Sequence, residues 1–168
     1  DSNVTSNGAV IMADHEREAA FTAIQKAQAL KDKVSQKEGD YIDALAKRYN
    51  GDLSSARAPL DQAYADAMRS LSQKYPDDDD AASLFAESLM NTMPWNYWID
   101  ADSPKPLTIE AINKLEEVLA RNPAHPMAIH LYIHAVESSS NPERAEVPAD
   151  ILLDLVPGAG HLVHMPSH

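Results

Sequence analysis

Residues 118–137 read V-L-A-R-N-P-A-H-P-M-A-I-H-L-Y-I-H-A-V-E: two apolar runs parted by Asn122-Pro123, and their reading decides the fold. The first run must end at Asn122, because the residue before a proline is pushed out of helical conformation. The second can begin at Pro126, whose missing N–H is one that a first helical turn leaves unpaired in any case. From there Ile129, Leu131, Tyr132, Ile133 and Val136 meet no breaker, so a helix is expected up to Glu137. The unit recurs. Setting Tyr75-Pro76 on Asn122-Pro123 lays Leu71 on Val118, Leu84 on Leu131, Phe85 on Tyr132 and Leu89 on Val136. Apolar positions repeating through consecutive helix–Pro–helix units mark stacked helical hairpins. The expected fold is all-α, antiparallel helical hairpins stacked as a repeat array, without a sheet.

Outward from this unit the same signals continue. A helix is expected from about Asp14, with Ala20, Ile24, Ala27 and Leu30 on one face. Ser35 and Glu38 form an S-x-x-E capping box ahead of a second helix that Asn50-Gly51 ends. A third starts near Ser54 or Ser55 and stops before Pro76. The run Asp77-Asp78-Asp79-Asp80 has the composition of a calcium loop, but at a helix start aspartates cap backbone N–H groups and complement the dipole, which is the reading preferred. Trp95-Asn96-Tyr97-Trp98 is an aromatic turn of a kind that can wall a pocket but is more often a core plug, and it is expected to plug the gap between helix pairs; residues 100–106 are expected to form a loop. A fifth helix begins at Thr108, the histidine helix is sixth, and residues 143–156 make a seventh, interrupted by Pro148. A last helix is expected to begin near Pro166, leaving His161 in the loop before it. Residues 1–13 read as a flexible lead-in and 14–168 as a single domain. The chain opens on Asp1 and its final motif runs to His168, so a processed or trimmed piece of a longer chain is expected, periplasmic or secreted on that reading.

Composition narrows the function classes. The chain has 168 residues, 44% hydrophobic, with 26 acidic against 14 basic residues and a formal charge of -12. Such a surface repels phosphate backbones and anionic lipid, so neither nucleic acid nor membrane is expected as a partner. There is no cysteine, which removes disulfides, thiolate metal sites and a cysteine nucleophile. No H-E-x-x-H, G-x-S-x-G or Walker-type loop occurs.

What remains is histidine. All but His15 lie at or after His125, in two groups: A-I-H-L-Y-I-H-A-V-E (128–137) and G-H-L-V-H-M-P-S-H (160–168). On a helix His130, His134 and Glu137, spaced by four and three, share one face and can present ligands to one ion. The second group offers His161, His164 and His168, and the repeat alignment lays Glu87 on His134 as a further carboxylate. A lone histidine on an apolar helix is more often a hydrogen-bonded core residue. Several buried together without a metal would leave many ring nitrogens needing partners, at about 1–3 kcal/mol for each polar group left unsatisfied. The expected metal ligands are therefore His130, His134, Glu137, His161, His164, His168 and Glu87. Imidazole and carboxylate without sulfur suit Fe(II), Zn, Mn or Cu(II).

The helix–Pro–helix units look like tetratricopeptide (TPR) repeats of longer spacing. N-P-A-H-P-M-A-I-H-L-Y-I-H-A-V-E, P-G-A-G-H-L-V-H-M-P-S-H and F-A-E-S-L-M-N-T-M-P-W-N-Y-W resemble segments of a group of bacterial TPR-like proteins that share such histidine blocks. The similarity covers roughly residues 27–168 and implies a helical repeat fold, with further repeats usual on either side and no settled activity. Two functions follow as expectations. One is a TPR-like protein with a transition-metal site (Fe, Cu or Zn), a metal-dependent oxidase or hydrolase. The other is an interaction scaffold that takes a protein or peptide on its concave face, with structural histidines.

Overall fold

The computed structural model describes residues 3–4 and 10–168, with side-chain surroundings from Met12 onward. The expected lead-in over 1–13 lies largely outside the described residues. The chain is mostly helical, and its contacts group into two compact units, residues 1–75 and 76–168.

In the first unit β1 (Asn3–Val4) pairs antiparallel with β2 (Val10–Ile11), and α1 (Asp14–Ala29), α2 (Gln36–Leu45) and α3 (Arg57–Lys74) follow. Ile24, Ala44, Tyr64, Met68 and Leu71 are buried, whereas Leu30 of the expected α1 face is exposed. The capping box at the start of α2 forms as expected: Glu38 N donates to Ser35 Oγ at 3.3 Å and Ser35 N to Glu38 Oε2 at 2.8 Å. The third helix begins later than expected because Ser54 and Ser55 are held in a turn. Asp52 accepts from Ser54 N at 2.9 Å and from Ser55 Oγ at 3.0 Å. Arg17 locks the same turn by donating to the carbonyls of Asp52, Leu53 and Ser55.

The second unit holds α4 (Asp79–Asn91), the ribbon β3 (Trp98–Asp100) and β4 (Ser103–Pro104), α5 (Pro106–Arg121), α6 (Pro126–Val136), α7 (Glu146–Leu155) and α8 (Gly160–His164). Helices α4, α5 and α6 pack together, and α7 packs on α6. Leu89, Leu115, Ile129, Leu152 and Met165 are fully buried, each stabilising by about 1.5–3 kcal/mol relative to exposure. The aspartate run acts at the helix start, with Ala81 N donating to Asp78 Oδ1 at 3.1 Å, Asp79 paired to Arg121 and Asp80 beside His125.

The expectations of no sheet and of a plain loop over 100–106 are corrected by two short antiparallel ribbons, β1–β2 and β3–β4. The second is braced by Lys105 N and Thr108 Oγ1, which both donate to the Tyr97 carbonyl. Pro148 does not interrupt the seventh helix. It falls in the first turn of α7, after a 3-10 turn over Pro142–Ala145, where no N–H is missed. His161 lies inside a helix rather than a loop, since α8 starts at Gly160 and the chain tightens into a 3-10 turn (Met165–Ser167) that admits Pro166.

Three of the four repeated pairs carry matching burial, while Leu84 is half-buried where Leu131 is buried. Leu71 and Val118, Phe85 and Tyr132, Leu89 and Val136 are all buried.

Candidate metal centre

Helix α6 is held at both ends of the histidine face. His125 caps it, with Nδ1 accepting from Ala128 N at 3.2 Å and Nε2 3.2 Å from Asp80 Oδ1. Trp98 Nε1 donates to the Ala135 carbonyl at 2.8 Å, fixing the last turn to the β3 ribbon. Glu137 keeps helical backbone angles at the C-cap, so it continues the His130–His134 face. The second segment is anchored by fully buried Met165, and its three histidines, spaced by three and four, also share a face.

The two faces meet. His130 Nε2 lies 3.2 Å from His161 Nε2, and their ring centroids are 4.9 Å apart. His134 and His130 rings are 5.0 Å apart, as are those of His134 and His168. Glu137 forks between rings, with Oε1 3.4 Å from His134 Nδ1 and Oε2 2.6 Å from His168 Nδ1. Donor atoms of His130, His134 and His161 lie within 4.8 Å of one another, as do those of His134, Glu137 and His168. Ligands about 2.0–2.1 Å from a tetrahedral zinc stand about 3.3–3.4 Å apart, so the 3.2 Å pair already has the spacing of two ligands on one ion.

Two of the expected residues sit differently. His164 belongs to neither group; its Nε2 is 3.1 Å from His168 Nε2 and its Nδ1 3.2 Å from Ser167 Oγ. Glu87, half-buried on α4, is also outside both groups among the described residues. Its carboxylate is nonetheless felt at Tyr97, whose hydroxyl is pushed above its ordinary value mainly by burial and further by Glu137 and Glu87.

Electrostatics keep the inner rings in the form a metal needs. Burial, then the neighbouring His134, His161 and His168, hold His130 down to about 4. His134 is also lowered, since burial outweighs the opposing pull of Glu137. Both rings are neutral at neutral pH, with a lone pair available for an ion.

Trp95 was not expected in this site. It does not plug the core: it is 50% exposed, adopts a left-handed backbone with φ 59°, and sets its ring perpendicular to that of His134 with centroids 5.1 Å apart. The signal lay in the polar neighbour Asn96 and the turn, which leave Trp98 half-buried and Trp95 exposed. Below Glu137 and His168 a cavity of about 260 Å³ opens, walled by Ile133, Ala149 and Met165.

No family model, no curated protein and no solved structure matches this chain.

Proposed function

We propose that this chain is a TPR-like helical repeat protein carrying a transition-metal centre, and that the centre serves a metal-dependent reaction, hydrolytic or oxidative. The repeat reading is supported by the matched burial of Leu71/Val118, Phe85/Tyr132 and Leu89/Val136 in successive helix–Pro–helix units. The observation that carries the metal reading is the convergence of His130 and His134 from α6 with His161 from α8. Donors so distant in sequence meet only through tertiary packing. Three imidazoles leave a coordination position open, which is how catalytic rather than structural zinc sites are built. A cavity of about 260 Å³ opens at Glu137 and His168, the other end of the histidine cluster, and gives a small substrate room there. Zn, Fe(II), Cu(II) and Mn fit this donor set, and such an ion would supply Lewis-acid or redox chemistry.

The test is metal content and melting temperature of the chelator-stripped protein after addition of each ion. Wild type should bind metal and melt higher, while His134→Ala and His161→Ala should each bind less metal and show a smaller melting shift. If His161→Ala keeps the full metal content and melting shift of wild type, His161 holds no ion and the reading of three converging imidazoles fails. Histidines that are structural in a peptide-binding scaffold would leave wild type without bound metal.

A further inference from the structure

The converging side chains do not make one set of ligands. An ion about 2.0–2.2 Å from every donor keeps its ligands within about 4.4 Å of one another. Here the mutually close donors form two groups of three, His130–His134–His161 and His134–Glu137–His168, and no larger group occurs among the described residues. In this arrangement one ion does not reach both ends. His134 is common to the two groups, and an imidazole carries its nitrogens on different edges of the ring. With Nδ1 3.4 Å from Glu137 Oε1, His134 turns that edge towards Glu137, and Nε2 on the opposite edge is not engaged by it.

We propose that the centre holds two divalent transition-metal ions, with His134 between them. This rests on the metal reading above and adds a second site to it. The first ion takes Nε2 of His130, His134 and His161. The second takes Nδ1 of His134, a carboxylate oxygen of Glu137 and Nδ1 of His168. Without metal, the Nδ1–H groups of His134 and His168 donate to the two oxygens of Glu137, which holds the second place open. When the second ion enters, His168 moves its proton from Nδ1 to Nε2 and donates to His164 Nε2, 3.1 Å away, while His164 moves its own proton from Nε2 to Nδ1, which faces Ser167 Oγ at 3.2 Å. The Nδ1 proton of His134 leaves to solvent, so one proton is released and the ring is shared as an imidazolate. His164 is then a positioning residue that fixes the His168 tautomer, as outer partners of metal-bound histidines do.

Native mass spectrometry of the full chain, stripped with chelator and titrated with Zn(II) and then Cu(II), tests this. The expected stoichiometry is two ions per chain. His161 and His168 are both exposed, so His161→Ala and His168→Ala should stay folded and each keep one ion. With Cu(II), loading of the second ion should quench the electron paramagnetic signal of the first, because spins joined through one imidazolate couple. Saturation at a single ion would overturn the second site and leave the metal reading standing. No bound ion at all would sink both. Two ions retained by His168→Ala, or two uncoupled copper signals, would overturn the shared-histidine arrangement.

Discussion

At the scale of residues the site is governed by what burial does to an imidazole. His130 is held down to about 4 from an ordinary 6.5. In the metal-free protein the folded ring therefore stays neutral over a range in which the unfolded chain takes up a proton. The stability this contributes is fully present above about 6.5 and is lost as pH falls towards about 4. The melting temperature of the metal-free protein should fall through that window, and His130→Gln should flatten the slope; an equal slope in both would exclude His130 as its source. Metal affinity should drop as pH approaches about 4, where a proton competes with the ion for the His130 ring. The tryptophans divide by environment. Trp98→Ala removes the hydrogen bond to Ala135, worth about 1 kcal/mol, and a half-buried ring whose full burial would be worth about 3–5 kcal/mol. Its melting temperature should fall clearly. Trp95→Ala should barely change melting, since that ring is half exposed and its left-handed backbone is unfavourable for any side chain. It should instead change the spectrum of a bound Co(II) or Cu(II), by opening the edge of His134 to water. A large stability loss from Trp95→Ala with an unchanged metal spectrum would return Trp95 to the core.

Elements were legible where local chemistry decides them. The Ser35–Glu38 box, the Asp78 cap, and the stops before Pro76 and Pro123 are written in a few adjacent residues, and the helices obey them. The histidine face of α6 followed from its spacing alone. The start of α3 was misread because Ser54 and Ser55 have the composition of an N-cap, while Asp52 and Arg17, one of them far away in sequence, hold them in a turn. The helical course of 160–168 was hidden by Pro166, although the 161, 164, 168 spacing carries the helical period. Glu87 was placed by repeat alignment, which aligns backbones but does not fix where a carboxylate ends. The same loop before α3 yields a sharp prediction. Gly51 has φ +76°, and a Cβ there would meet Phe21 Cε1 at 2.5 Å. Gly51→Ala should cost more than about 1 kcal/mol, combining the left-handed penalty with a displaced ring. Denaturant unfolding measures it, and a cost near zero would mean that Phe21 moves aside freely.

On the scale of the whole molecule, charge and partition decide the behaviour. A formal charge of -12 raises the local concentration of cations, so metal uptake should slow with rising ionic strength even though the ligands themselves are largely neutral. All of the converging donors belong to residues 76–168, while residues up to Tyr75 carry a core of their own around Tyr64, Met68 and Leu71. A ligand stabilises only the cooperative unit that contains its site, by about 2.7 kcal/mol at a free concentration one hundred times Kd. Thermal unfolding of the full chain should accordingly show two transitions. Added zinc should raise the one belonging to residues 76–168 and leave the other in place, with Gly51→Ala lowering the other alone. Calorimetry with and without zinc reads both. A single transition that moves as a whole would mean that the two cores unfold together, and the metal would then be stabilising the entire chain.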